Sequence, residues 1–339
     1  MIVVNDIEIA LAIDDNYVTQ CATTIASILM NTKSKSISFH ILNSGLSEYN
    51  KELLSSLKKI KTFNISFYKI ASEDIKKLPL NRSWISVATY YRLLLPSILP
   101  NNVKKCIYLD CDIVCLDDIE QLWNYDISQY CLAAVEDEDG THNYKRLKLS
   151  NGDFYFNAGV LVLNIAKIRE TNFINRCIRY YTSNSSLIKM QDQDILNGIF
   201  DGECLKLPMR WNIGTPYYHN ITPQCKHLND SDKHDIYQNP GIVHFTGRCK
   251  PWLDSSFHPF KYAYWKYLSY TPLKKLYYIY LFKCLCSNIY RYQVYNRGKM
   301  KTYKIYILNI PIFSFEKTAT HEKYKFFGFI SYKLKCKKS

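Results

Sequence analysis

The sequence predicts an α/β protein built on a doubly wound parallel sheet and followed by a strongly basic, aromatic-rich tail. Two observations carry this reading. Apolar runs of strand length alternate with segments of helical periodicity through the first half of the chain, as in strands joined by covering helices. Charge is also segregated: residues 261–339 hold 17 Lys and Arg against two acids, Glu316 and Glu322, whereas residues 1–260 hold 27 basic and 28 acidic side chains. A body of net charge −1 and a tail of +15 need separate explanations.

Residues 7–13 are a nearly unbroken apolar run closed by Asp14-Asp15-Asn16, which fits a buried strand ending in a loop. Residues 18–30 read as a helix, with Val18, Cys21, Ala22, Ile25, Ile28 and Leu29 on one face. A second strand (37–42), a helix (51–60) and a third strand (65–70) follow. The fourth strand, 105–109, ends in Asp110-Cys111-Asp112, and the fifth, 131–135, ends in Glu136-Asp137. Residues 155–164 look like a central strand and 242–244 like a short late one. In such sheets ligands bind outside the carboxyl ends of the strands, so polar residues just past a strand are the ones to watch.

The 339 residues, 47% hydrophobic and 15% aromatic, can bury a sizeable core. The 12 Cys are scattered without a Cys-x-x-Cys pair, so they read as reduced core residues, and zinc on Cys111 and Cys115 is rejected for want of a second ligand pair. No apolar stretch is long enough to span a membrane, and Asp6 and Glu8 with no basic segment argue against a signal peptide. Together these point to a cytoplasmic protein. Past residue 260 the texture changes: 14 of the 29 Tyr lie there, and Tyr303–Leu308 and Tyr324–Ile330 form a loose repeat of strand character. The division expected is a catalytic domain over 1–260 and a tail over 261–339.

Asp110 and Asp112 are the candidate chemistry. Carboxylates two residues apart at a strand end can face one cation, and hard oxygen ligands suit Mg²⁺ or Mn²⁺ bridging to phosphate. Alone, this is a weak signal, since Asp-x-Asp also occurs at Asp137/Asp139, Asp192/Asp194 and Asp230/Asp232. Its surroundings add specificity. Ala12-Ile13-Asp14-Asp15-Asn16-Tyr17, Tyr108-Leu109-Asp110-Cys111-Asp112, Phe156-Asn157-Ala158-Gly159-Val160, Gln191-Asp192-Gln193-Asp194-Ile195-Leu196-Asn197 and His244-Phe245-Thr246-Gly247 with Lys250-Pro251-Trp252 occur in that order. Over about residues 7–255 this resembles glycosyltransferase family 8, the group of bacterial lipopolysaccharide galactosyl- and glucosyltransferases related to glycogenin.

The resemblance implies a glycosyltransferase A-type fold, a Rossmann-like mixed sheet that binds a nucleotide sugar. It implies Mn²⁺, with Mg²⁺ as the alternative, on Asp110, Asp112 and His244. Donor contacts would come from Asp14 and Asn16 near uracil and ribose, from Arg92 and Asp110 on the donor side, from Asp137, Asn157 and Asp192 toward the hexose, and from Gly247 and Lys250 at the diphosphate. Asp192 and Gln193 would act at the reacting sugar, Gln193 opposite the leaving group, while Asp194 could equally be structural. Each has a plainer reading: an Asx turn for Asp14 and Asn16, a helix-surface charge for Arg92, a satisfied strand-end histidine for His244. The implied enzyme is a retaining hexosyltransferase moving galactose or glucose from a UDP-sugar, in α-linkage, to a lipopolysaccharide, lipooligosaccharide or other surface-glycan acceptor. Because Gln193 is a poor nucleophile, front-face attack is favoured over double displacement. The alternatives weighed are an inactive sugar-nucleotide-binding or scaffold relative and, less favoured, a nucleic-acid binder using the tail, which no recognised motif supports. The tail is expected to hold the protein peripherally on the anionic inner face of the cytoplasmic membrane, near a lipid-linked acceptor, with no nucleic-acid partner.

Overall fold

The computed structural model describes residues 6–70, 87–150, 154–219, 228–297, 300–307, 310–318, 321–326 and 330–335. The chain divides into two compact units, Met1–Leu273 and Lys274–Ser339. The first contains strands β1 (Ile7–Ile13), β2 (Ile37–Asn43), β3 (Asn64–Lys69), β4 (Cys106–Leu109), β5 (Ile113–Cys115), β6 (Leu132–Glu136), β7 (Phe156–Leu163), β8 (Cys204–Lys206), β9 (Ile213–Gly214) and β10 (Ile242–His244). Seven of them form one sheet in the order β3-β2-β1-β4-β7-β6-β8, while β5, β10 and β9 form a smaller one.

The large sheet is mixed rather than wholly parallel. Strands β1 to β4 run parallel, but β7 is antiparallel to both β4 and β6. Strand length and hydrophobicity are the same for either direction, so the sequence pattern alone does not distinguish them. The reversal matters for the site: it brings the first residues of β7, Phe156 to Gly159, to the edge where β4 and β6 end. There the Asp110 amide donates to Gly159 O (2.8 Å) and the Asp137 amide to Tyr155 O (2.9 Å).

The helix Val18–Asn31 buries Cys21, Ala22, Ile25, Ile28 and Leu29 against the sheet, as its periodicity predicts. Its buried Thr24 hydroxyl reaches the carbonyls of both Cys111 and Ile113 (2.9 and 2.8 Å), and Ser27 Oγ accepts from the Cys115 amide (2.9 Å). This pins the turn carrying Asp112 to a rigid element. The helix Lys261–Leu268 packs Ala263, Tyr264, Tyr267 and Leu268 against Val114, Val243 and Phe245, directly behind His244.

The second unit holds the helix Lys274–Ile289 and a five-stranded antiparallel meander: β11 (Tyr290–Arg297), β12 (Met300–Ile307), β13 (Ile310–Lys317), β14 (His321–Phe326) and β15 (Ile330–Lys335). The two repeat segments lie in β12 and across the β14–β15 turn; Leu308 and residues 327–329 of those segments fall outside the described residues. The register aligns Tyr292, Ile305, Phe313 and Phe326 in one cross-strand row, and Gln293, Lys304, Ser314 and Lys325 in the next.

Candidate active site

The turn between β4 and β5 carries Asp110 and Asp112, and the antiparallel pairing of β5 with β10 sets His244 opposite Ile113. Phe245 N–H donates to Asp112 O (2.9 Å), which locks the turn beside the end of β10. The ligand atoms of Asp110, Asp112 and His244 all lie within 4.8 Å of one another. His244 Nε2 is 3.1 Å from Asp112 Oδ1 and 3.8 Å from Asp110 Oδ2. Two carboxylates and one imidazole suit a divalent cation with mixed oxygen and nitrogen preference, so the donor set fits the expected metal. Gly159 leaves the space this needs: a Cβ there would stand 2.2 Å from His244 Cε1 and 2.9 Å from Asp110 Oδ2.

Cationic groups surround the carboxylates. Lys250 Nζ contacts Asp112 Oδ2 and donates to Phe245 O (2.6 Å). Lys250 and His244 together hold the Asp112 carboxyl well below the usual range despite its burial, and the carboxylates in turn raise His244 against the effect of its own burial. Gly247, in the segment between His244 and Lys250, has φ +69°, a left-handed conformation that favours glycine.

Arg92 is buried, not on a helix surface. It sits in the one-sided 3-10 helix Val87–Leu94, stacks its guanidinium over Tyr108 (4.4 Å to the ring centroid), and donates to Asp110 Oδ1 (2.9 Å) and to Ala158 O. Tyr108 OH donates to the same Asp110 oxygen (2.9 Å). Arg92 Nε also lies 2.8 Å from Asp192 Oδ2, although its N–H is directed at Thr89 O (3.0 Å), which leaves that oxygen without a hydrogen bond. Burial, helped by the like charge of Asp110, pushes Asp192 up to about 7 against the opposing pull of the Arg92 guanidinium.

The helix Gln191–Ile199 delivers Asp192 and Gln193. Asn197 clamps it to β7, its side-chain amide bonding both the N–H and the C=O of Phe156 (2.8 and 2.9 Å). Gln193 is fully engaged: Oε1 accepts from Ala158 N–H (3.0 Å), and Nε2 donates to Asp137 Oδ2 (3.1 Å) and Tyr155 OH (3.2 Å). Asp194 is a structural anchor. It accepts from Arg146 at both oxygens (2.9 and 2.8 Å), from Tyr155 OH (2.6 Å) and from the amides of Lys189 and Met190 (2.6 and 2.8 Å). Asn157, at the start of β7, donates to Asp137 Oδ2 (3.1 Å). Beside them, burial and the neighbouring Asp137 push Glu138 up to about 7.

The structure therefore brings Arg92, Asp110, Asp112, Asp137, Asn157, Asp192, Gln193, His244 and Lys250 into one bonded constellation. Asp14 and Asn16 stand at the end of β1, where Asp14 Oδ1 accepts from the Asn16 amide (2.9 Å) in an Asx turn. The same loop reaches the Lys250 segment through an edge-to-face contact of Tyr17 with Trp252 (6.2 Å). Sequence reasoning assigned no role to Tyr108, Arg146, Tyr155 or Asn212. Tyr108 adjoins the Asp-x-Asp turn and could have been suspected, whereas Arg146 and Asn212 lie in segments with no motif to point at them.

The model of glycosyl transferase family 8 matches residues 8–256. The chain belongs to that family. This family 8 glycosyltransferase is 29% identical over 262 residues to general stress protein A of Bacillus subtilis, covering 76% of this chain and 91% of that one. It is 32% identical over 253 residues to a lipopolysaccharide 1,2-glucosyltransferase of Escherichia coli, covering 73% of each. In three dimensions it resembles the galactosyltransferase LgtC, crystallised with donor and acceptor sugar analogs: TM-score 0.71, 27% identity, 78% of this chain and 96% of that one. Its fold is the glycosyltransferase A type.

Proposed function

We propose that this glycosyltransferase is a retaining, Mn²⁺-dependent hexosyltransferase. It would move galactose or glucose from a UDP-sugar, in α-linkage, to a lipopolysaccharide, lipooligosaccharide or related surface glycan. The observation that carries the reading is the convergence of Asp110, Asp112 and His244 within one cation's reach, beside Lys250. A divalent cation held by these three would supply Lewis-acid stabilisation of the diphosphate leaving group. The glucosyl and galactosyl activities named for the E. coli relative and for LgtC support the choice of hexose and of acceptor class.

The chain's own residues divide the remaining work. Lys250 neutralises charge gathering on the departing diphosphate, a contribution worth most where water is excluded. Gly247 lets the backbone approach a phosphate. Asp14 and Asn16 read the nucleoside, while Asp110, Arg92, Asp137, Asn157 and Asp192 hold and orient the donor. Gln193 stands opposite the leaving group with its amide tied at both ends, and Asp194 has its carboxylate engaged by five donors. Neither offers a free carboxylate nucleophile, which supports front-face attack by the acceptor hydroxyl over a covalent intermediate.

The domain division we propose is catalytic for the body and membrane-associating for the basic tail. Among the described residues no helix is long and apolar enough to cross a membrane. The helix Lys274–Ile289 exposes Leu276, Tyr278, Ile279, Leu281 and Phe282, the last by 66%, between Lys275 and Lys283. An apolar, aromatic stretch flanked by lysines, followed by a lysine-rich stretch of sequence, suits the headgroup region of an anionic inner leaflet. Incubating the full chain with UDP-galactose or UDP-glucose, Mn²⁺ and truncated lipooligosaccharide tests the activity. An α-linked hexose on the acceptor, seen by NMR, is expected. A β-linked product, or no transfer from either donor, contradicts the reading.

A further inference from the structure

Asn212 follows the short 3-10 helix Met209–Trp211, precedes β9 and is 3% exposed. Its side chain bridges two parts of the site: Oδ1 lies 2.9 Å from His244 Nδ1, and Nδ2 donates to Asn157 Oδ1 (2.9 Å). The direction of this chain of bonds follows from one backbone group. Gly159 N–H, which can only donate, is 2.9 Å from Asn157 Oδ1, so that atom must be the amide oxygen. Asn157 Nδ2 then faces Asp137 Oδ2 (3.1 Å), which also accepts from Gln193. With an oxygen on Asn157 toward it, Asn212 must present its NH₂ there and its own oxygen to His244. An oxygen that only accepts requires the proton on Nδ1. Nε2 is thereby the nitrogen left toward Asp110 and Asp112.

We infer that Asn212 is a positioning residue for the metal site. It fixes His244 as the Nδ1–H tautomer with the Nε2 lone pair toward the two aspartates, and through Asn157 it ties this ligand to Asp137 on the hexose side. The inference rests on the reading of Asp110, Asp112 and His244 as metal ligands. Partners that orient a ligating imidazole typically matter by about 10- to 100-fold in metal affinity. The link through Asn157 further means that disturbing Asn212 is felt in sugar-nucleotide recognition.

The test is Mn²⁺ affinity of the UDP-saturated full chain, read from free Mn²⁺ by electron paramagnetic resonance. Asn212→Ala should weaken binding by about 10- to 100-fold. Asn212→Asp keeps an acceptor for Nδ1–H but loses the donor to Asn157. It should hold Mn²⁺ affinity within about threefold of the parent, well below that range, while raising KM for the UDP-sugar. Asp112→Ala should abolish binding. If Asp112→Ala abolishes it and Asn212→Ala does not weaken it, the inference falls and the metal reading stands; if Asp112→Ala binds normally, the metal reading itself falls. Nitrogen-15 NMR of the Mg²⁺- and UDP-loaded parent needs no variant: a His244 proton on Nδ1 is expected, and one on Nε2 overturns the inference.

Discussion

Replacing Gly159 with alanine would put a methyl carbon 2.2 Å from His244 Cε1, 2.8 Å from Nδ1 and 2.9 Å from Asp110 Oδ2. Carbon atoms rest about 3.5–4.0 Å apart, so the ring would have to withdraw by roughly 1.3 Å or more. The backbone of β7 resists yielding instead, because Gly159 O accepts from the Asp110 amide and the residues that follow are paired to both β4 and β6. Moving the ring breaks its 2.9 Å bond to Asn212 and its 3.1 Å approach to Asp112. Overpacking of this kind costs about 1–3 kcal/mol of stability, which leaves a domain of this size folded. The cation would then be left with two carboxylates and a displaced imidazole. Mn²⁺ affinity in the presence of UDP should fall by about 100-fold, the upper end for a disturbed ligand shell, and transfer should fall with it. Electron paramagnetic resonance of free Mn²⁺, alongside thermal melting, measures both. A folded Gly159→Ala protein that binds Mn²⁺ and transfers sugar like the parent would refute the reasoning.

Three further outcomes follow from the same geometry. Gln193→Ala should lower turnover by about 10- to 100-fold with little change in donor affinity, since it removes an orienting amide rather than a nucleophile; a glycosyl adduct on Gln193 or Asp194 in the unmodified enzyme, found by mass spectrometry, would contradict front-face attack. Asp192, raised from 3.8 to about 7, contributes stability that is fully present below pH 3.8 and is lost as pH rises toward 7. Asp192→Asn should therefore gain stability relative to the parent across that window, on the order of 4 kcal/mol in urea unfolding, and parallel pH profiles would count against it. A chain ending at Leu273 keeps the helix that backs His244. It should melt cooperatively and bind UDP with Mn²⁺ but lose its salt-sensitive binding to anionic liposomes; undiminished binding would rule out the tail as the membrane contact.

The strands and the turn carrying Asp110 and Asp112 were legible because their signals are local. Apolar runs ended in Asp14, Asp110 and Asp137, and the structure sets all three at the ends of β1, β4 and β6. The direction of β7 was not legible, because alternation of apolar residues carries no polarity, and it is this reversal that brings Asn157 and Gly159 to the site. The small residue at 159 leaves room for the His244 ring, a need that the motif alone does not reveal. Arg92 illustrates a different limit. A lone arginine in an amphipathic segment reads as surface charge, and only tertiary packing shows it buried between Asp110 and Asp192. Asn212 had no signal, since its role depends on atoms contributed by β7 and β10.

Metal-dependent UDP release tests the central claim most directly. The full chain, stripped with chelator, would be given the preferred UDP-hexose and acceptor and titrated with Mn²⁺ and, separately, Mg²⁺, with Asp112→Asn run in parallel. The account predicts no release from the stripped protein, recovery that is fuller with Mn²⁺ than with Mg²⁺, and no recovery for Asp112→Asn. Full activity in excess chelator, or an Asp112→Asn protein that recovers like the parent, would contradict it.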